Sequence, residues 1–394
     1  MKRFLRKHFA TVSSGDRLAP MEGMRGFAAL LVFFVHFNAL FHGYFERGPT
    51  LQLCNMVGSL GHTGVDIFFV LSGFLIYGIV FNGKQMYGQF LLHRVRRLYP
   101  VFLGVLLLYL ALSLAFPLES KLPNSVPAAL IYVAANALFL PGMTRIAPII
   151  VVAWSLSYEW LFYLLIPLVI SGLGLRRWRS WQRIMFFLLF ALTVCLLRGW
   201  IIPGHQRLVL FASGMVLWER VNFHRLRFRL RGWGEFATIV AFGLNLLVIG
   251  WVGARNGETG LVLSRVASLY VPSLFVTVFF LSLYSFFYDG VLKALFSWDY
   301  LRWIGNISYS YYLIHGLTLH GVRLAVAFFF PQSPRSAVFV LALLVTCIAA
   351  TLFAAAVLFL AVEKPLSFRK PSRSASREIV TALAAPNISA EIAS

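Results

Sequence analysis

An arginine and a histidine, separated by ten residues, lie in the first apolar segment of the chain. Arg25 is near the start of this segment and His36 is near its middle, and no charged residue lies between them. In a helix, eleven steps of about 1.5 Å span roughly 17 Å, about half of a ~30 Å hydrocarbon core. His36 is therefore predicted near mid-membrane and Arg25 at the membrane edge. Polar groups at such a depth normally face a protein interior or a water-filled cavity, which makes them candidates for a functional site.

The composition indicates a polytopic membrane protein. The 394 residues are 59% hydrophobic and 12% charged, and the mean hydropathy is +0.78, values that a soluble globular protein of this size would not tolerate. The net charge of +21 does not indicate nucleic-acid binding. The Lys and Arg residues cluster between apolar segments, where the positive-inside rule and anionic lipid headgroups account for them. The bilayer is therefore the partner that this charge predicts.

The cysteines and the amino terminus carry no signal of export or metal binding. Cys54, Cys195 and Cys347 lie in separate segments without metal-like spacing, so we expect neither structural disulfides nor a metal site. The basic start has no apolar core or small-residue cleavage site before the Arg25 segment. A cleaved signal peptide is therefore not expected.

Ten apolar segments are predicted to cross the membrane as helices, which makes the fold all-α with both termini in the cytoplasm. They cover residues 24–45, 64–81, 101–116, 151–170, 184–202, 208–218, 236–252, 267–287, 304–330 and 337–362. A further apolar segment, 126–140, is bracketed by prolines. The basic blocks at Arg94 and Arg176 both belong inside, so an even number of crossings must separate them, and this segment is predicted to be re-entrant or surface-lying.

This topology divides the chain into three parts. Residues 1–17 form a basic cytoplasmic amino terminus, residues 18–366 form the membrane domain, and residues 367–394 are predicted to be a basic, disordered cytoplasmic tail. The helical rise places Glu159 about 12 Å and His36 about 13 Å below the outer face, with His315 roughly 16 Å from the inner face. These three residues are therefore predicted to share one layer. Asp66 is expected nearer the outer surface, at the mouth of the second span.

The remaining charged candidates are expected at the cytoplasmic side. They are Arg25, Arg94, Arg96, Arg97 and Glu363. A histidine beside a carboxylate can act as a general base, because the carboxylate orients the ring and stabilises the imidazolium. Such a base could deprotonate a sugar hydroxyl, which would then attack an activated acyl group. Arginines at the membrane edge suit phosphates, and acyl-coenzyme A combines phosphates with an acyl thioester.

Simpler roles compete with this interpretation. A single membrane histidine often only binds a neighbouring helix, and arginines in any inside loop need no ligand. His315 can equally pack between helices, and a structural role is expected for His320. Asp66 can cap its helix. The competing class of protein is a proton-coupled transporter of a glycolipid or anionic solute. Inverted repeats with broken helices in matching positions would favour that class, and the sequence does not show them.

Six motifs in order make the chain resemble the acyltransferase-3 family of integral membrane acyltransferases, from about Leu18 to Leu366. The motifs are Arg25 with His36, the segment 64–76 that contains Asp66 and Ser72, the pair Arg94 and Arg97, the segment 154–159 ending in Glu159, the segment 307–315 ending in His315, and Glu363-Lys364-Pro365. Members of this family O-acetylate bacterial O-antigens, exopolysaccharides, peptidoglycan and Nod factors. The resemblance implies an acyl-CoA donor on the cytoplasmic side and a carbohydrate acceptor at or beyond the outer face.

The resemblance also implies roles for individual residues. His36 corresponds to the catalytic residue, Arg25, Arg94 and Arg97 to donor-binding or structurally essential residues, and Glu159 and Asp66 to supporting polar residues. Further candidates are Glu22, Ser72, Tyr158, His315 and Glu363. Glu22 stands where members often carry an Asp in a Leu-Asp-Gly-Leu-Arg-like run. Direct transfer with His36 as general base is the expected mechanism, and an acyl-enzyme route through His36 or Ser72 stays open.

The expected setting follows from the same resemblance. No permanently bound cofactor is expected, since acetyl-CoA would act as the donor substrate, and succinyl or longer acyl groups stay open. The acceptor would be a polysaccharide or a lipid-linked oligosaccharide, with polysaccharide export machinery as the protein partner. The expected location is the bacterial inner membrane.

Overall fold

The computed structural model describes residues 18–83, 85–197, 205–223, 231–254 and 260–367, and this part of the chain contains α-helices and short helical turns but no β-strand. The helices are α1 (Leu18–Phe41), α2 (Pro49–Leu60), α3 (His62–Asn82), α4 (Tyr87–Ala115), α5 (Val126–Ala137), α6 (Ala153–Gly172), α7 (Ser180–Leu196), α8 (Val209–Phe223), α9 (Arg231–Ala254), α10 (Gly260–Phe287), α11 (Val291–Phe296), α12 (Asp299–Asn306), α13 (Ser308–Phe329), α14 (Ala337–Leu358) and α15 (Lys364–Ser367). The predicted all-α class is therefore confirmed for this part. We call the end of the bundle that holds Phe41 the outer end and the end that holds Leu18 the inner end, as the predicted topology has them.

Eight helical stretches among the described residues are long and apolar enough to cross a membrane. The predicted fifth and sixth spans correspond to α7 and α8, which have 17 and 15 residues and fall below that length. The described residues thus contain several helices of the length and apolar composition that a multi-pass membrane fold requires. The count of ten spans stays a prediction. The cytoplasmic termini also stay a prediction, because residues 1–17 and 368–394 lie outside the described residues.

The segment predicted to be re-entrant or surface-lying forms the short helix α5. Its 12 residues span about 18 Å, too little to cross a ~30 Å core. At the carboxyl end of α5, the side-chain oxygen of Asn136 accepts a hydrogen bond of 2.8 Å from the backbone N–H of Ile149. This bond joins α5 to the segment before α6.

Two helix boundaries differ from the sequence-based expectation. Helix α4 begins at Tyr87 rather than near residue 101, so the arginines at 94, 96 and 97 lie on a helix and not in a loop. Hydropathy places the boundary too late, because a helix continues past the apolar core when its charged side chains reach the interface. The predicted span 304–330 is also interrupted, since α12 ends at Asn306 and α13 begins at Ser308.

Glycines let the helices around the site approach closely. A Cβ atom added at Gly26 of α1 would lie 2.1 Å from the carbonyl oxygen of Leu301, and one added at Gly305 of α12 would lie 1.7 Å from that of Glu22. Small residues that admit such backbone contact are typical of helix pairs in membranes. Any larger residue at either glycine would force α1 and α12 apart.

Two more glycines define the register between α1 and α3. A Cβ at Gly61 would lie 2.2 Å from the carbonyl oxygen of Leu31, and one at Gly64 would lie 2.3 Å from that of Ala28. The helices therefore run antiparallel, and each residue further along α3 is one residue nearer the inner end of α1. Asp66 consequently lies more than two turns, about 12 Å, inward of His36.

The prediction that Asp66 lies at an outer mouth is therefore wrong. Helix α2 precedes α3, with only Gly61 between them, and the stretch Pro49–Asn82 forms one apolar path of 34 residues. Seventeen residues of this path come before Asp66, so it lies roughly 25 Å along it if the helices are near coaxial. The polar residues Thr50, Gln52 and Asn55 lower the local hydropathy, which is why the sequence did not predict α2 as part of the span.

Candidate functional site

The site begins with a contact between two histidines. His36 of α1 and His315 of α13 have ring centroids 5.0 Å apart, with the ring planes tilted by 58°. His315 is fully buried, whereas His36 is half-buried. The prediction that these two residues share a layer is confirmed.

The local environment selects one tautomer of His315. Its Nδ1 lies 3.0 Å from the backbone carbonyl oxygen of Tyr311, and a carbonyl oxygen can only accept, so Nδ1 carries the proton. The neutral ring then has a lone pair on Nε2. Among the described residues, this buried Nε2 atom has no hydrogen-bond partner. The ring of Tyr311 stacks on His315 with an interplanar angle of 6°, which further limits its rotation.

Glu159 lies further inward than predicted. One turn inward of His315, the hydroxyl of Tyr312 is 2.7 Å from Oγ of Ser155, and Glu159 is one turn inward of Ser155 on α6. Glu159 is therefore about two turns, roughly 10 Å, inward of His315. The prediction of a common layer for Glu159 and His36 is wrong, because equal distances along two spans do not give equal depths when the helices start at different heights.

The carboxylate of Glu159 is held by hydroxyl groups. Its Oε1 accepts a hydrogen bond of 3.1 Å from Oγ of Ser72 on α3 and a second, short one from the hydroxyl of Tyr163. Glu159 also interacts electrostatically with Arg25 and Arg94. Ser72 and Glu159, both predicted candidates, thus belong to the inner part of the site.

Three arginines, Arg25, Arg94 and Arg97, form what we call the arginine cluster. The positive charge of Arg97 is close enough to repel the charges of both Arg25 and Arg94. The guanidinium carbon of Arg94 lies 5.3 Å from the ring centroid of Phe90 and 5.9 Å from that of Tyr163. Nε of Arg94 is buried and has no hydrogen-bond partner among the described residues. Converging guanidinium groups of this kind suit an anion with several oxygens, such as a phosphate.

Two predicted acidic candidates stabilise the helices around the arginine cluster. Glu363 is 5% exposed and ends the π-helical turn Phe359–Glu363. It accepts a hydrogen bond of 3.2 Å from the backbone N–H of Ser310 and a short one from its hydroxyl. This places a negative charge at the amino end of α13, where the helix dipole favours it. Glu22 pairs at 3.0 Å with Arg302 of α12, which joins α12 to α1.

A second polar group, which the sequence analysis missed, surrounds Asp66. The fully buried carboxylate accepts a hydrogen bond of 2.7 Å from the hydroxyl of Tyr270 and lies 3.3 Å from Nη1 of Arg207. The guanidinium carbon of Arg207 lies 5.5 Å from the ring of Trp154 and 5.6 Å from that of Tyr270. The signal was present in the sequence, since Arg207 precedes a predicted span at the outer side, against the positive-inside rule.

Tyr158, the remaining candidate, lies beside this group. Its hydroxyl is 3.0 Å from Nδ1 of His205, and its ring packs edge-on against that histidine at 5.3 Å. The structure thus separates the candidates into three sets: the histidine pair, the arginine cluster with Glu159 and Ser72, and the group around Asp66. The hydrogen bonds described for Asp66 and Glu159 come from hydroxyl groups, and Asp66 also forms an ion pair with Arg207. None of these contacts involves His36.

Comparison with known proteins gives the class of protein that this fold and site define. Residues 19–355 match the model of an acyltransferase domain, the acyltransferase-3 family. The match covers most of the chain, and the chain therefore belongs to this family. This confirms the resemblance found in the sequence motifs.

Three relatives show the range of similarity. Exopolysaccharide production protein ExoZ of Rhizobium meliloti is 34% identical over 109 residues, 27% of this chain and 33% of ExoZ. Acyltransferase MdmB of Streptomyces mycarofaciens is 33% identical over 159 residues, 39% of each chain. O-acetyltransferase OatA of Staphylococcus aureus is 29% identical over 180 residues, 42% of this chain and 27% of OatA. The matched part thus covers well under half of each of these relatives, and no solved structure matches the chain.

Proposed function

We propose that this chain is a membrane O-acyltransferase that moves an acyl group, acetyl in the simplest case, from acyl-CoA to a hydroxyl group of a cell-surface or exported carbohydrate. Membership of the acyltransferase-3 family supports the reaction class. The names of ExoZ and OatA refer to exopolysaccharide production and O-acetyl transfer, which supports acetyl transfer to a carbohydrate. The chain would act in the bacterial inner membrane, with its inner end and both termini in the cytoplasm.

The observation that carries the proposal is the placement of two different groups along α1. Arg25 belongs to the arginine cluster near the inner end, and His36 lies eleven residues, roughly 17 Å, further out in contact with His315. The phosphates of coenzyme A would bind the arginine cluster. The extended pantetheine arm would then carry the thioester outward, toward His36.

The proposed chemistry is direct transfer. His36 takes the proton from the acceptor hydroxyl while the hydroxyl oxygen attacks the thioester carbonyl carbon. The carbon–sulfur bond then breaks, and the imidazolium of His36 returns the proton to the departing sulfur. The products are the carbohydrate ester and free coenzyme A, so that His36 ends the cycle in its starting state.

Removal of the His36 imidazole tests this function. The chain is purified in lipid nanodiscs and supplied with acetyl-CoA and p-nitrophenyl β-glucoside as a hydroxyl acceptor, and release of coenzyme A is measured. We expect His36→Ala to lose at least about 100-fold in rate, the low end of the effect of general-base removal. His320→Ala is the matched control, since His320 pairs at the surface with Glu119. Mass analysis of surface polysaccharide, with and without the chain, identifies the natural acceptor. Wild-type rates in the His36→Ala variant would refute the assignment.

A further inference from the structure

We propose that His315 is a positioning residue that orients His36, so that a pair of histidines replaces the expected pair of histidine and carboxylate. The inference rests on the proposed function, because it assigns the partner of the proposed general base. In this arrangement, one ring N–H of His36 donates a hydrogen bond to Nε2 of His315. The other ring nitrogen of His36 is then unprotonated and faces the acceptor hydroxyl.

The carboxylates are engaged elsewhere. Oδ2 of Asp66 accepts a hydrogen bond from Tyr270, and its Oδ1 forms an ion pair of 3.3 Å with Arg207. Oε1 of Glu159 accepts hydrogen bonds from Ser72 and Tyr163. Asp66 and Glu159 also lie two or more helical turns inward of the histidine pair. Neither carboxylate can therefore reach His36 without breaking its present bonds.

His315 has the geometry that the orienting role requires. The ring centroids are 5.0 Å apart, a separation at which two imidazole rings turned edge to edge have facing atoms about 3 Å apart, the usual length of a hydrogen bond. The proton on Nδ1 is committed to the carbonyl oxygen of Tyr311, so Nε2 can only accept. In the proposed arrangement, rotation of the His36 side chain turns one of its ring N–H groups toward this Nε2.

The burial of His315 argues against a purely structural role. An unpaired polar atom in an apolar interior is destabilising, and Nε2 of His315 is such an atom. A phenyl ring of similar shape would fill the same space between α1 and α13 without this cost. A neutral acceptor also differs usefully from a carboxylate. When His36 becomes an imidazolium, its hydrogen bond to Nε2 becomes charge-assisted and stronger, yet no isolated anion has to be buried in the resting enzyme.

Two substitutions separate positioning from packing. His315→Phe retains the ring volume but removes the acceptor, and His315→Gln retains an acceptor oxygen. We expect His315→Phe to lose about tenfold or more in kcat, a fraction of the effect of removing the base itself, with the KM for acetyl-CoA within about twofold of wild type. His315→Gln should recover a measurable part of the lost rate. His320→Phe, the same substitution on the same helix, is the matched control and should leave both constants unchanged.

A spectroscopic measurement tests the pair without relying on turnover. In nanodiscs containing the chain with ¹⁵N-labelled histidine, we expect a single tautomer for His36 in the wild type and in His320→Phe, and a mixture of tautomers in His315→Phe. Wild-type kcat in a folded His315→Phe variant, or an unchanged His36 tautomer, would overturn the proposal. Absence of acetyl-CoA turnover in the wild type would instead refute the proposed function, and the nitrogen spectra would still decide whether His315 orients His36.

Discussion

Two pairs of polar side chains inside the helix bundle differ in how completely their hydrogen-bonding groups are used. Arg183 of α7 and Glu219 of α8 form what we call the closed pair, with bonds of 2.6 and 2.9 Å between them. Glu219 also accepts from the hydroxyls of Tyr77 and Ser180. The guanidinium of Arg183 packs over two phenyl rings. In such a pair every charge is matched inside the protein, which suits a structural role.

The pair of His36 and His315 is the open pair. Nε2 of His315 has no hydrogen-bond partner within the described residues, and His36 is only half-buried. Unused hydrogen-bonding capacity in an apolar interior is destabilising, and such groups are retained where a ligand or a reaction uses them. Burial alone therefore does not identify a functional residue, and a buried polar atom without a hydrogen-bond partner gives a more specific reason to test one.

Breaking the closed pair should have the largest effect on stability. We expect Glu219→Ala to lower the free energy of unfolding by about 3–5 kcal/mol, because it leaves the buried charge of Arg183 uncompensated. The kcat of the fraction that stays folded should be unchanged, since the pair lies outside the proposed site. Thermal unfolding in nanodiscs measures the first quantity and coenzyme A release the second. Arg220→Ala, one residue further on α8, is the control, and equal destabilisation by both variants would contradict the structural role of the closed pair.

The arginine cluster should respond in substrate affinity rather than in stability. We expect Arg94→Ala to raise the KM for acetyl-CoA about tenfold, equivalent to about 1.4 kcal/mol of binding, with kcat changed much less, because the phosphates are bound equally in the ground and transition states. Initial rates over a range of acetyl-CoA concentrations measure both constants. Arg96→Ala is the matched control, because Arg96 is an exposed residue of the same helix turn. A rise in KM that is the same in both variants would show only a general charge effect.

Ser72 distinguishes the two chemical routes and has the smallest expected effect. In direct transfer, Ser72→Ala removes one hydrogen bond to Glu159, worth about 1 kcal/mol, and we expect kcat to fall by less than about tenfold. Measurement of acetyl-CoA turnover, with Ser59→Ala as the control, tests this. Complete loss of turnover together with an intact fold would instead favour an acyl-enzyme formed on Ser72.

Much of the fold follows from local patterns in the chain. The apolar runs predicted the helices that contain His36, Glu159 and His315, because burying an unbroken apolar segment in lipid depends on that segment alone. A second pattern, the basic blocks at Arg94 and Arg176, predicted that 126–140 does not cross. The apolar runs failed to predict a helix that combines polar and apolar residues, as in α2, and a helix that charged residues extend past its apolar part, as in α4.

The sequence by itself determined the family, the all-α membrane fold and the spacing between Arg25 and His36, because motifs and helical rise are properties of one segment. Only the tertiary structure decided which polar groups meet. The register between α1 and α3, defined by Gly61 and Gly64, moved Asp66 inward, away from the outer end. The packing of α13 against α1 placed His315 beside His36. These pairings depend on contacts between segments far apart in the chain, and depth along a single helix carries no information about the height of its neighbours.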